Sequence, residues 1–246
     1  MARTAINVYS VRELDETVEE VLDRVARAGY DGVQFSGRHT PTNGDPESIA
    51  AKLEETGLDV TPAHIGTEAL EDDRESTIET YETVGVDAAV IPSLSGEHFE
   101  SAEAVDAIAE RVNALADDLA DEGWDLHYHN HAHEFVDLDG EWAFDRFIDA
   151  TDIGIELDVG WALVGGDDPA ARIRSLGDRA ELIHMKDMDT SVERGFVELG
   201  DGDVDIEACA EAALEVGSEW LIYEHDDPED PAGTIDHGAD VLDDLV

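Results

Sequence analysis

Short apolar runs alternate along the whole chain with segments of helical period. The predicted strands are Ala5–Tyr9, Gly32–Phe35, Asp59–His64, Ala88–Pro92, Asp125–Asn130, Gly154–Asp158, Glu181–Met185 and Trp220–Glu224. Between them, segments such as LDETVEEVLDRVARAG and AEAVDAIAERVNALADDLADEG carry apolar residues at helical spacing. Several of these segments end in glycine, the residue that most readily adopts the left-handed conformation at a helix end, namely at Gly29, Gly57, Gly123 and Gly217.

This alternation predicts an α/β fold with a parallel sheet, because the strands lack strict polar alternation and are separated by helices. An open doubly wound sheet competes with a closed barrel. The eight strand and helix units, and the lack of a G-x-G-x-x-G turn after the first strand, favour a (β/α)8 TIM barrel. A length of 246 residues is usual for one such barrel, and no linker or low-complexity segment interrupts the pattern, so residues 1–246 are predicted to form one domain.

Hard metal ligands lie on or beside the ends of the fifth to eighth predicted strands. They are Glu134, Asp158, His184 and Glu224. In a closed parallel barrel, the C-terminal ends of successive strands meet at the same mouth. Carboxylates and one imidazole suit a hard or borderline divalent cation, and the absence of thiolates among them disfavours a structural zinc site. We therefore predict that these four side chains bind one divalent ion and that Glu134 and Glu224 also transfer protons.

Four further residues are candidates for substrate contacts. The segment HYHNHAH contains four histidines, but alternate positions extend along a strand and cannot all reach one ion, so only His131 is expected near the site. His64 closes the third strand, where a structural role is equally open. Lys186, one of two lysines, either polarises a substrate oxygen or pairs with an anion, or it forms a salt bridge to Asp187 or a neighbouring residue. Trp161 either stacks on a sugar or packs at the rim.

The acidic composition is extreme, with 63 Asp and Glu against 14 Lys and Arg and a net charge of -49. Such a charge repels nucleic acids and anionic membranes, while 42% hydrophobic residues argue for a folded protein. We expect a halophilic origin, since the Debye length in molar salt is only about 3 Å. The lone Cys209 excludes an intramolecular disulfide. Neither a membrane-length apolar stretch nor a signal peptide is recognisable, so a cytoplasmic protein is expected, with homo-oligomerisation left open.

Several stretches resemble the xylose-isomerase-like barrel superfamily of sugar isomerases and epimerases. In order along the chain they are YSVRE, AGYDGVQFSG, YHNHAHEF, ELDVGWALVGGDDP, HMKDMD and ELGDGDVD. The resemblance implies one divalent metal, Mn2+ first and Mg2+, Co2+ or Zn2+ as alternatives, on the four ligands predicted above, with the two glutamates as acid and base. Two positions depart from the pattern. Trp161 replaces a histidine frequent in ketose 3-epimerases and inosose dehydratases, and Gln34 replaces a frequent Glu.

The predicted function is a metal-dependent isomerase or epimerase of a small sugar or polyol that moves a proton through an enediolate. A lyase, of the inosose or dehydroshikimate dehydratase type, is the alternative. The net charge argues against the endonucleases of this barrel type, and the paired glutamates argue against a non-catalytic sugar-binding barrel. With no P-loop and only isolated cations such as Arg12 and Lys186, a neutral substrate is expected.

Overall fold

A parallel barrel forms the centre of the protein in the computed structural model, which describes residues 2–246. Its strands follow the order β3-β2-β1-β13-β10-β9-β6-β5-β4, and the other four strands form two antiparallel hairpins, β7–β8 and β11–β12. In chain order the strands are β1 Arg3–Asn7, β2 Gly32–Gln34, β3 Asp59–Val60, β4 Ala63–His64, β5 Ala88–Ile91, β6 Asp125–His129, β7 Asp137–Leu138, β8 Glu141–Trp142, β9 Gly154–Asp158, β10 Leu182–Met185, β11 Asp187–Met188, β12 Phe196–Val197 and β13 Trp220–Tyr223.

The barrel closes through its third strand, which is split into the halves β3 and β4. Thr61 and Pro62 lie between the halves, and Pro62 has no N–H to donate to a ladder. The first half pairs with β2 and the second half with β5. The nine barrel segments are therefore eight strands in the circular order of a (β/α)8 barrel, which confirms the predicted fold class.

Strand boundaries differ from the prediction most clearly at the first strand. It begins at Arg3 and ends at Asn7, because Val8–Val11 turns into a 3-10 helix. The side chain of Asn7 caps this turn by accepting a hydrogen bond from the Tyr9 N–H at 2.8 Å. The strand Gly154–Asp158 has the predicted bounds.

Ten α-helices cover the outside of the barrel and its rims. They are α1 Val18–Ala28, α2 Pro46–Thr56, α3 Thr67–Asp72, α4 Arg74–Thr83, α5 Ala102–Ala120, α6 Ala143–Ala150, α7 Val159–Val164, α8 Pro169–Leu176, α9 Ile206–Val216 and α10 Gly233–Asp243. As predicted, α1, α2 and α9 are each followed by a glycine with positive φ. Of the helices within residues 2–246, none has the length and apolar character needed to cross a membrane.

A small apolar cluster fills the lower part of the barrel interior, separate from the main core between sheet and helices. It consists of Ala5, Val90, Leu182, Trp220 and Ile222. The Trp220 indole lies so close to β2 that a Cβ on Gly32 would be 2.8 Å from it. Because side chains alternate along a strand, the residues two and four positions further on face the same interior, nearer the C-terminal mouth. This places polar side chains directly above an apolar base.

Candidate active site

Four buried side chains converge at the C-terminal ends of β6, β9, β10 and β13. The ligand atoms of His129, Asp158, His184 and Glu224 all lie within 4.8 Å of one another. Strand register explains part of this convergence, because His184 is paired with Asp158 across β10 and β9. Three of these residues belong to the predicted ligand set. His129 takes the fourth place, and the sequence had suggested only a supporting role for it.

One nitrogen of this cluster has no hydrogen-bond partner within the described chain. It is the buried His129 Nε2, which lies 3.3 Å from Asp158 Oδ2, an oxygen that also forms an ion pair with Lys186 at 3.0 Å. His129 Nδ1 lies 3.2 Å from the Pro92 carbonyl, which can only accept, so Nδ1 carries a proton and Nε2 is the nitrogen that faces the cluster. Asp158 Oδ1 caps α7 by accepting from the Trp161 N–H. An imidazole nitrogen and a carboxylate oxygen that face each other in a buried site are ligand types that suit a divalent cation.

His184 is oriented by a deeper layer of polar side chains. Its Nε2 lies 2.7 Å from Gln34 Oε1 and 3.1 Å from Glu156 Oε2, both of which accept hydrogen bonds. Its Nδ1 therefore faces the cluster, 3.1 Å from Glu224 Oε2. Burial lowers the pKa of His184, but Glu156 and Glu224 outweigh burial and raise it to about 10. A carboxylate behind a histidine is the arrangement that fixes ligand histidines at metal centres.

Lys186 brings a buried positive charge to the same carboxylates. Its ammonium lies 2.7 Å from Glu224 Oε2, 3.0 Å from Asp158 Oδ2 and 3.1 Å from Asp226 Oδ2. Burial lowers the pKa of Lys186, but the three carboxylates outweigh burial and raise it well above the usual value. The lysine is therefore charged, and the salt bridges considered for it from sequence are made by Asp158, Glu224 and Asp226, with Asp187 not among them.

Glu134 lies outside the cluster, contrary to the sequence-based ligand set. Among residues 2–246 it belongs to no group of potential ligands within 4.8 Å. A 3-10 turn over Ala132–Glu134 follows β6 and folds its carboxylate back on the chain. Its oxygens accept hydrogen bonds from the Tyr128 hydroxyl at 2.5 Å and from the His131 N–H at 2.9 Å. Burial raises the pKa of Glu134 to about 8.

A cavity of about 680 Å³ opens above the cluster. His64, His131, Trp161 and Lys186, the four predicted substrate contacts, all line it, together with Glu224 from the cluster. His64 also lies 2.5 Å from Glu156 Oε2, so it reaches both the cavity and the deeper polar layer. Burial lowers the pKa of His131 to about 3, which keeps this ring neutral.

The other histidines of HYHNHAH do not join the cluster, as expected from strand alternation. His127 packs against Gly154 near the opposite end of β6, and His133 lies 2.9 Å from the Leu94 carbonyl. Sequence reasoning missed His129, Glu156 and the role of Gln34. A detectable signal did exist for two of them, because His129 lies one residue before the end of the predicted strand Asp125–Asn130, and Glu156 precedes Asp158 by two positions, on the same face.

Comparison with known proteins agrees with the barrel fold. The model of the xylose isomerase-like TIM barrel family matches residues 22–245. The chain belongs to this family. The inosose dehydratase of Geobacillus kaustophilus (strain HTA426) is 25% identical over 258 residues, covering 88% of this chain and 82% of the relative.

Solved structures share the same fold. A sugar phosphate isomerase/epimerase from Parabacteroides distasonis ATCC 8503 superposes with a TM-score of 0.80 at 22% identity, covering 98% of this chain and 94% of that one. The probable 3-DHS dehydratase of Bacillus anthracis, involved in petrobactin synthesis, gives a TM-score of 0.78 at 14% identity and covers 98% of both chains. At these identities the similarity establishes the barrel and leaves the reaction to the site itself.

Proposed function

We propose that the chain is a divalent-metal-dependent enzyme that removes a proton next to the carbonyl of a small sugar or polyol derivative. The ion would be held by His129, Asp158, His184 and Glu224, and Mn2+ is the first choice. The supporting observation is the buried nitrogen His129 Nε2, which has no hydrogen-bond partner within the described chain and lies 3.3 Å from Asp158 Oδ2 beneath a cavity of about 680 Å³. When bound, the ion supplies positive charge to substrate oxygens, which stabilises negative charge developing at the neighbouring carbon.

Glu224 and Lys186 are the groups that we assign to proton transfer. Both line the cavity, and the Lys186 ammonium lies 2.7 Å from Glu224 Oε2. Burial raises the pKa of Glu224, but Lys186 and His184 outweigh burial and hold it well below the usual range, so the carboxylate is ionised and able to accept a proton. Lys186 can donate a proton to a substrate oxygen or carbon. The sequence suggested Glu134 as the second proton-transfer residue beside Glu224, but Glu134 does not line the cavity.

Isomerisation or epimerisation results if the proton returns to a carbon of the same substrate. A base and an acid on one side of the cavity would return the proton to a neighbouring carbon, which gives isomerisation. Epimerisation needs a second donor that returns the proton to the opposite face of the same carbon. His64 and His131 line the cavity with Glu224 and are among the polar side chains that could orient the substrate hydroxyls for either outcome.

Dehydration is a second candidate, favoured by the inosose dehydratase relative that covers most of the chain. The first step is the same proton abstraction by Glu224. In elimination the carbon–oxygen bond at the next carbon then breaks, and the leaving hydroxide takes a proton from Lys186 to become water. The charged, buried Lys186 suits this donor role.

Solvent-deuterium exchange tests the proposal. Ketoses, aldoses and an inosose are incubated with the Mn2+-loaded protein in D2O at high salt, and exchange is followed by mass spectrometry while ultraviolet absorbance reports dehydration. We expect exchange that disappears on chelation, and a loss of about 10^2- to 10^4-fold in Glu224→Gln. Glu219→Gln is the matched control, because Glu219 is exposed at the opposite end of β13. Exchange that survives chelation, or an active Glu224→Gln, contradicts the mechanism.

A further inference from the structure

Arg194 is exceptional among the arginines of this chain. Although 63 acidic residues surround only 14 basic ones, the Arg194 guanidinium has no carboxylate within 4.0 Å and donates no hydrogen bond within residues 2–246. Arg27 and Arg179 also lack an ion pair, but their guanidinium groups bond to backbone carbonyls. The Arg194 guanidinium instead lies over the ring of Phe196, 5.2 Å from its centre.

Arg12 is the second weakly paired arginine at the same place. Its nearest carboxylate oxygen, on Glu13, is 3.7 Å away, and its guanidinium lies 4.1 Å from the centre of the Tyr9 ring. One guanidinium N–H donates to the Tyr9 carbonyl at 3.1 Å, which leaves the other N–H groups for a ligand. Both Arg12 and Arg194 line the cavity above the metal cluster. Lys186, the third cation of the cavity, is already neutralised by three carboxylates. The two arginines are therefore the cations of this cavity that remain available to a ligand.

The loop that carries Arg194 is fastened at its base. The buried carboxylate of Asp187 accepts hydrogen bonds from the N–H groups of Met188, Gly200, Gly202 and Val204 at 2.8 to 3.0 Å. Arg194 itself has a φ of 54°, a left-handed conformation that non-glycine residues rarely adopt. Such conformations are retained where the surrounding structure enforces them, often at ligand sites. The hairpin β11–β12 thus holds a strained residue at the cavity rim.

We propose that Arg12 and Arg194 bind an anionic group of the substrate, a carboxylate or a phosphate, at the end remote from the reacting carbon. This inference rests on the proposed function for the reacting end of the same cavity. The planar guanidinium fork matches both anions in bidentate geometry. In molar salt the net charge of -49 is screened beyond about 3 Å, so direct contacts decide whether an anion binds. The neutral substrate expected from the sequence is thereby replaced by a sugar acid or a sugar phosphate.

The test compares three probes that differ only at one end. The Mn2+-loaded protein is titrated calorimetrically with D-glucitol, D-gluconate and D-glucitol 6-phosphate in about 1 M KCl, where general charge effects are screened. Titrations use wild type, Arg12→Gln/Arg194→Gln and the control Arg27→Gln, which makes the same charge change per site on the exposed face of α1. Chelation of Mn2+ in solution is common to all three proteins, so differences between them isolate the arginines.

We expect at least one anionic probe to bind wild type and Arg27→Gln about 10-fold or more tighter than D-glucitol, as charge-assisted hydrogen bonds require. The double variant should lose this preference and keep D-glucitol affinity. The probe that is preferred identifies the anion as carboxylate or phosphate. Equal binding of all three probes to wild type, or an unchanged preference in the double variant, overturns the inference. Failure of the proposed reaction shows separately, as absent deuterium exchange in a protein that still prefers the anion.

Discussion

The ligand set expected from sequence and the candidate cluster in the structure differ at one residue, His129 in place of Glu134. His129 has an unsatisfied nitrogen that faces Asp158, whereas both oxygens of Glu134 are engaged by Tyr128 and His131. The two sets share three members and differ in one. A pair of variants therefore distinguishes them.

We predict that His129→Ala lowers Mn2+ affinity by more than the roughly 10- to 100-fold typical of losing an outer partner, because a direct ligand is removed. Glu134→Gln should cost less than about 10-fold, because the amide oxygen still accepts one of the two hydrogen bonds. Isothermal titration with Mn2+ measures both. His133→Ala is the matched control, since His133 lies outside the cluster. Its Nε2 is 2.9 Å from the Leu94 carbonyl oxygen and 3.5 Å from Glu134 Oε1. A larger loss in Glu134→Gln than in His129→Ala would restore the original set.

From the raised pKa of His184, we predict that metal binding releases a proton. Its pKa is raised to about 10 by Glu156 and Glu224, so at neutral pH the ring is protonated on both nitrogens when no ion is bound. Coordination needs the lone pair of Nδ1, so an ion must displace that proton. Mn2+ affinity should therefore rise about 10-fold per pH unit between roughly pH 6 and 9 and level off above the pKa of His184. Calorimetry in buffers of different ionisation enthalpy counts the protons, and a pH-independent affinity contradicts this protonation state.

Among the secondary-structure elements, the β11–β12 hairpin and the following loop depend on one side chain. Each oxygen of Asp187 accepts two backbone hydrogen bonds, and a Cβ on Gly202 would collide with this carboxylate. The ELGDGD stretch is therefore a turn wrapped around an internal carboxylate. Asp205 then caps α9 by accepting from the Ala208 N–H.

We predict that Asp187→Asn destabilises the protein by about 2 to 4 kcal/mol, because one oxygen becomes an amide group that faces two N–H donors. The loop should open locally, so trypsin should cut after the exposed Arg194 faster than in wild type. Urea unfolding and limited proteolysis at the same salt concentration measure the two effects. Asp201→Asn is the control, because Asp201 is exposed and its change should stay within about 0.5 kcal/mol. Equal cleavage of Asp187→Asn and wild type would show that the carboxylate does not hold the loop.

At the scale of the whole molecule, the main feature is the excess of acidic side chains. Few of the 63 acidic residues belong to the site, and surface ion pairs such as Arg111 with Glu71 neutralise only a small part of the negative charge. The remaining carboxylates repel one another over the surface of the folded chain, and an expanded chain relieves that repulsion. Salt screens it.

We predict that the native fold is lost as ionic strength falls. The Debye length grows from about 3 Å at 1 M salt to about 30 Å at 0.01 M, so surface repulsion then acts across the molecule. Circular dichroism during dialysis from about 2 M KCl to 0.01 M should show unfolding. Sucrose at low ionic strength is the control, since it favours compact states without screening charge and should restore less structure than KCl. Full native ellipticity at about 0.01 M salt would show that the acidic composition does not make the stability of the fold depend on salt.

Local pattern was sufficient to predict the barrel. Strand and helix periods are properties of neighbouring residues, and eight parallel units leave few arrangements that bury every strand, so the closed barrel followed. The same rule placed Asp158, His184 and Glu224 together, because strand ends in a barrel share one mouth. Their convergence needed no knowledge of any distance.

Only the tertiary structure places His129 in the cluster and Glu134 outside it, and it brings Glu156 and Gln34 to His184. A strand end fixes where a residue lies, but the turn that follows fixes where its side chain points. The 3-10 turn after β6 directs the Glu134 side chain towards Tyr128. His129 is itself the last residue of β6, and its side chain lies in the cluster. Likewise, the deeper polar layer behind His184 joins β2 and β9 across the barrel. Contacts between residues so far apart in sequence form only when the sheet closes, so periodicity along the chain cannot encode them.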